Sequence, residues 1–246
     1  MNLFNDRKVK EYIDLLNGHS FIKHVMTYCR CIENNFPKYA HTDSAPFSKN
    51  LAELAARQEP ETIKLLVMYI SNESYYNADT MTFLVSEMMN CENIDKVDQY
   101  YNVLYANFRK HPPCALYMAK DYEQLMLTRK QENATKYFRG MSLWEYLIEC
   151  FYRITSGSIL YGENGAFDLA FYRFFKFCVE ILQTEYETAK HYGTRPLIMK
   201  CLNYNPKRPT RLTEIIKLLD MLFNTGFNFQ LSVIQLAILV KEIKQI

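Results

Sequence analysis

The chain has 246 residues, 49% hydrophobic and 23% charged, a balance that excludes an intrinsically disordered protein. A formal charge of +2 excludes a global electrostatic pull toward nucleic acid, and seven Gly with eight Pro are too few for the many turns of an all-β fold. The 19 Tyr, 16 Phe and 11 Met are large side chains that need a sizeable core.

In chain order the pattern is helical. Val9, Tyr12, Ile13 and Leu16 recur at i, i+3, i+4 and i+7, and Asn17-Gly18 stops that helix. Met1 to Lys10 is charged and lacks an apolar core, so no secretory leader is expected. Phe21 to Ile32 reads as a second helix and Phe36 to Ser48 as a loop. Leu51 to Ala56 is a short helix, and Pro60 opens the next one, Glu61 to Ile70, with Ile63, Leu66, Val67 and Ile70 on one face. Met81 to Met89 pairs with Ile94 to Phe108, whose stripe Tyr100, Tyr101, Leu104, Tyr105 and Phe108 is expected in the core. After His111-Pro112-Pro113 come Ala115 to Leu127 and Asn133 to Phe138. Ser142 is placed to cap Leu143 to Ile154, on whose apolar face Trp144, the sole tryptophan, is expected to be buried. A loop with three Gly leads to the long apolar helix Phe167 to Tyr186. Two helices follow within Gly193 to Gln230, and Ser232 to Ile246 closes the chain. No apolar run approaches the ~18 residues that cross a bilayer, so no membrane contact is expected.

The second-helix segments near Glu61, Ile94, Phe174 and Glu214 lie roughly 33 residues apart, then about two units of ~40, then ~40. Within Gly193 to Gln230 the order is Thr194-Arg195-Pro196-Leu197, a short apolar helix, a Pro-rich insert, a helix with Glu214-Ile215-Ile216-Lys217-Leu218-Leu219, and Asn224-Thr225-Gly226. This order resembles the ankyrin repeat, with Thr-Pro-Leu at the start and Gly at the end. Leu51 to Ala56 followed by Glu61 to Leu66 is similar, and its Ala55-Ala56 matches the small pair of that family. The His expected after Pro-Leu is absent, with Ile198 in its place. The resemblance implies an all-α fold of stacked antiparallel helix pairs, a divergent ankyrin-like helical repeat array. It would form one domain over 1–246, with 1–48 as an irregular helical cap. Another helical repeat and a non-repeat helical domain remain as alternatives. In the ankyrin reading Gly226 turns left-handed at the end of its helix.

Candidate chemistry is sparse. Cys29 and Cys31 point to different faces of a helix, and no second pair completes a zinc set with His19 or His24. Cys114 follows His111, a pairing that could suggest a nucleophile and base but reads more simply as a turn leading into a helix. No phosphate-loop, dinucleotide or His-Glu-x-x-His motif is present. No catalytic, cofactor or metal site is therefore assigned. The seven Cys, odd in number and mostly isolated, read as reduced thiols of a cytoplasmic, intracellular protein. The most basic cluster is Lys200, Lys207, Arg208 and Arg211, with Pro206 and Pro209 holding an exposed insert between two helices. It is the candidate partner-binding site, against the reading of a solvated loop.

The resemblance implies a non-enzymatic protein–protein interaction module. Eroded units in a chain rich in Asn, Tyr, Ile and Lys suggest a viral or microbial protein acting on host proteins. The alternative is a helical nucleic-acid-binding protein of nucleoprotein type, using the basic insert, the Lys8 and Lys10 end and the aromatic load. An enzyme with a dispersed site is the third class.

Overall fold

The structure, a computed structural model, describes residues 45–47, 50, 60–129, 138, 140–158, 165–203, 210–225 and 230–243. The described part is mostly helical, as expected. The elements are β1 (Ala45–Pro46), α1 (Pro60–Leu65) running into a 3₁₀ turn (Leu66–Tyr69), and β2 (Ser74–Tyr75). Then come α2 (Ala78–Met89), α3 (Ile94–Lys110), α4 (Leu116–Leu127) and α5 (Leu143–Thr155). The rest are α6 (Gly165–Tyr192), α7 (Leu197–Cys201), α8 (Thr210–Asn224) and α9 (Gln230–Ile243). The two strands pair in parallel, Ala45 with Ser74 and Pro46 with Tyr75, so the small ladder is not the hairpin-like turn that helix pairs alone suggest.

Local chemistry sets the helix ends. Asn77 caps α2 by accepting from the Thr80 N–H, and Asn93 caps α3 by accepting from Asp95 and Lys96. Asp95 in the first turn of α3, with Arg109 and Lys110 in its last, suits the helix dipole. Ser142 begins α5 with a full capping box, its hydroxyl accepting from the Glu145 N–H while Glu145 accepts from the Ser142 N–H. α6 ends in a Schellman turn. Thr194 donates to the Ala189 carbonyl and Gly193 to that of Lys190, with Gly193 at φ 65, where a Cβ would be strained.

One expected face is only partly right. Ile63, Leu66 and Ile70 are buried, but Val67 is exposed. The cause is the switch from α to 3₁₀ winding. The Tyr76 hydroxyl donates to the Leu66 carbonyl at 2.7 Å, and the Ile70 N–H donates instead to Val67. Tyr76 is itself held by Asn107, which accepts from its N–H at 2.8 Å and donates to its carbonyl. Asp121 of α4 accepts from the Ala78 N–H, so α4 helps to cap α2.

The core lies around α6. Phe171, Phe174, Phe175 and Phe177 are fully buried, as are Cys178, Ile181 and Leu182. α6 packs against α2, α3, α4, α7 and α9, while α8 packs on α9 and α5. Rings carry much of this packing. Phe151 of α5 meets Phe175 at 4.8 Å, Tyr146 meets Phe174 at 5.8 Å, and Phe108 of α3 meets Phe177 at 6.3 Å. At the rim Arg173 pairs with Asp98 at 2.8 Å and lies over the Tyr101 ring. In a one-dimensional stack each unit touches only its neighbours. Here α6 reaches back to α2 and forward to α9. The segment read as the second helix of a unit near Phe174 is the middle of this single 28-residue helix. Likewise α7 rests chiefly on α6, α4 and α9 rather than on α8, its expected partner. The short connections Asn90 to Asn93 and 225–229 do return the chain, so α2–α3 and α8–α9 pack as helix pairs. Leu51 to Ala56, residues 133–137 of the expected helix Asn133 to Phe138, Gly226, and the 1–48 cap apart from residues 45–47 lie outside the described residues; within that cap Ala45–Pro46 is a strand, not helix.

Phe174 touches the ring system at the centre of α6. Phe174→Ala is expected to cost about 3–5 kcal/mol, read as a lowered urea midpoint at an unchanged m-value. A cost below ~1 kcal/mol would mean that the aromatic centre can collapse around the loss.

Candidate functional site

α5 is buried by Leu143, Leu147 and Phe151, each 0% exposed. One step round the helix, Trp144, Ile148 and Tyr152 form a second row at i, i+4 and i+8. Trp144 is buried at 6% exposure, as expected, and Tyr152 is 46% exposed. Beside that row stand Glu145 and Glu149, also one turn apart. This edge of α5 faces α7 and α8 across an open groove of about 420 Å³, which Leu127, Met141, Leu202 and Ile215 also line. That volume lies toward the small end of the ~300–1,000 Å³ range of ligand pockets.

α7 forms the opposite ledge. Its N-cap is Pro196, with no side-chain cap bond, so it cannot hold itself. Glu185 of α6 accepts from the Leu197 N–H at 2.6 Å and fixes the start of this short helix. Lys200 then reaches Glu123 of α4 at 2.6 Å. Asn203, at φ 47, turns the chain away beyond the end of α7. Burial pushes the Glu185 carboxyl up to about 7, against the Leu197 hydrogen bond and the Lys200 charge that pull it down.

The acidic groups of the groove divide into two kinds. Glu145 is held by Arg129, with a closest contact of 2.6 Å, and this bond lowers its pKa with help from Ser142. Arg129 is largely exposed, so the pair adds little stability. Glu149 and Glu214 line the same groove and have no ion-pair partner among the described residues. Among the described residues the groove therefore has an apolar floor and surplus negative charge.

Of the basic cluster read from sequence, Lys200 sits on the ledge, engaged with Glu123 rather than projecting from an insert. Arg211 falls in the first turn of α8. Lys207 and Arg208 lie outside the described residues, as do Cys29, Cys31, His19, His24, Lys8 and Lys10. The structure brings the cluster's Lys200 to a groove whose other residues sequence reading did not single out. The i, i+4 rows on α5 were a signal for it, but Glu214 and Leu202 come from distant elements that no local pattern joins.

The His111–Cys114 pairing does not form a nucleophile and base. Both His111 ring nitrogens are engaged, Nδ1 with the Tyr117 hydroxyl at 2.6 Å and Nε2 with the Ser71 carbonyl at 2.7 Å. Burial pushes the Cys114 thiol up to about 12, far from thiolate character at neutral pH. Cys150 is likewise pushed up to about 12, and Cys178 and Cys201 are raised by burial too. No group of three or more His, Cys, Asp or Glu among the described residues could hold a metal ion. No described helix is long and apolar enough to cross a membrane.

No family model matches the chain, and no solved structure matches it. A stretch of 80 residues is 31% identical to UvrABC system protein C of Caldanaerobacter subterraneus subsp. tengcongensis. That stretch covers 32% of this chain and 13% of that protein, so the chain spans only a small part of the relative's length.

Glu185 gives a pH test of the ledge. Its folded pKa of about 7 lies above the unfolded value of ~4.3, so the folded state holds the proton more tightly. The cost of burying the carboxylate is absent below ~4.3, grows as pH rises, and is complete above about 7. Glu185→Gln keeps an oxygen for the Leu197 N–H and removes the titration. Urea midpoints should therefore move in the variant's favour, relative to the unmodified protein, as pH rises across that window. A pH-independent difference would place Glu185 in a more solvated setting than this.

Proposed function

We propose that this chain is a non-enzymatic protein-interaction module, an all-α scaffold that docks a segment of another protein in the groove between α5, α7 and α8. The observation that carries the reading is the groove itself. An apolar row of α5 stays partly open beside carboxylates, although the same helix buries its other face completely. Partly exposed Tyr152 and Ile148 beside buried Trp144 are residue types that interfaces favour. Engaged His111 nitrogens and raised thiols favour binding over catalysis.

In this reading the likeness to ankyrin repeats is one of residue order alone, from Thr194 into α8, and the binding surface is a groove rather than the concave face of a long stack. A viral or microbial origin, with a partner from a host cell, extends the proposal on residue usage alone. The cytoplasm is the proposed location. The nucleic-acid alternative rests on Lys207, Arg208 and Arg211. It is weakened at the groove by surplus carboxylates and by the engagement of Lys200 with Glu123.

A photo-crosslinking residue at Tyr152 should capture a protein from lysate, and Ile148→Arg should abolish the capture, with a cooperative urea transition confirming that the variant still folds. The same crosslinker at Asn102, exposed on α3 away from the groove, should capture nothing specific. Equal capture from both positions would contradict the groove as the site. In parallel, Lys207, Arg208 and Arg211 replaced together by Ser should leave this capture unchanged. Loss of a salt-dependent single-stranded RNA complex in that triple variant would favour the nucleic-acid alternative.

A further inference from the structure

The groove's charges indicate what it receives. Four carboxylates stand in or beside it, and two of them are neutralised in place: Glu145 by Arg129 and Glu123 by Lys200. The remaining two, Glu149 and Glu214, come from different walls, α5 and α8, and the apolar side chains of Ile148 and Ile215 line the same groove. Among the described residues Lys200 is the one lysine of the lining, and it is engaged by Glu123. An anionic occupant would meet two uncompensated negative charges. A neutral apolar one would leave them beside a less polar surface, at a desolvation cost. A cation beside an apolar group satisfies both the floor and the walls.

We propose that the groove binds a short cationic and apolar peptide segment of another protein, an aliphatic or aromatic side chain on the floor flanked by Lys or Arg at Glu149 and Glu214. The proposal rests on the reading of this groove as a protein-docking site and adds the chemistry of the occupant. Small volume fits it, since about 420 Å³ holds a few side chains rather than a folded surface. Exposed Glu214 and half-buried Glu149 would act mainly on the rate of association and on the choice of partner.

The test uses the full chain and three fluorescently labelled peptides of equal length on one Leu/Ala scaffold, carrying Lys, Gln or Glu. Binding is read by anisotropy, and location by the emission of Trp144, the sole tryptophan and part of the groove lining. The Lys peptide should bind and shift the Trp144 emission. Glu149→Gln with Glu214→Gln should weaken it about tenfold, and 1 M salt, with a screening length of ~3 Å, should weaken it similarly. Glu149→Lys with Glu214→Lys should then prefer the Glu peptide, with urea midpoints confirming that both double variants fold. Equal binding of all three peptides would overturn the charge assignment and leave the docking site standing. If no peptide shifts Trp144, both readings fail. A stronger shift from a single-stranded oligonucleotide, or concentration-dependent self-association that blocks the Lys peptide, would also overturn the proposal in favour of a polyanion or a second copy.

Discussion

The whole structure depends on burying α6. This helix carries Phe171, Phe174, Phe175, Phe177, Val179, Ile181 and Leu182 over one broad face, with Arg173, Lys176 and Glu180 on the remaining stripe, and none of the seven apolar side chains reaches solvent. A narrow apolar stripe can rest on a single neighbour, but an apolar face this broad needs several. α2, α3, α4, α7 and α9 meet it directly, and α5 meets it through Phe151 and Tyr146. At roughly 1.5–3 kcal/mol for each large side chain removed from water, this burial outweighs any single polar contact in the fold. The polar contacts decide geometry instead. Asn107 and Tyr76 fix the path into α2, and the Schellman turn at Gly193 releases the chain toward α7.

The groove follows from that arrangement. α5 must present Leu143, Leu147 and Phe151 inward, which leaves the Trp144–Ile148–Tyr152 row at its edge. α7 is too short to fold alone, and its position is borrowed: Glu185 of α6 holds its first N–H and Glu123 of α4 its only lysine. α8 packs on α9 and α5 and closes the other wall. Three elements with no common sequence neighbourhood thus converge on one small cleft, and each is anchored to the core independently of any occupant. A rigid cleft loses less entropy on binding than a mobile one.

Much of the secondary structure was legible locally because its causes are local. Ser142 followed by Glu145 at the third position is a capping box in sequence and in space. Pro-Pro at Pro112-Pro113 and helical periodicity placed most of the described helix limits within a few residues. What could not be read were interactions across the chain. The Glu123–Lys200 pair joins residues far apart in sequence, and it changes Lys200 from a free cation into a fixed strut. The 3₁₀ winding that exposes Val67 comes from the Tyr76 hydroxyl taking the Leu66 carbonyl, which no propensity contains. The repeat spacing suggested a stack because periodic helix pairs look alike whether they line up in a row or wrap around a centre. Only the length and the broad apolar face of Gly165 to Tyr192 carried a hint of the second outcome.

The central claim, that α6 is a shared core rather than one unit of a linear array, is tested most directly by native-state hydrogen exchange. If α6 is surrounded, the amides from Phe171 to Leu182 can open only when α2, α3, α7 and α9 release them. Their exchange free energy should equal the global unfolding free energy from urea, with the same denaturant dependence as the slowest amides of α3. Exchange of α6 by a separate, smaller opening, while α2 and α3 stay protected, would contradict the account and restore an array that unravels unit by unit.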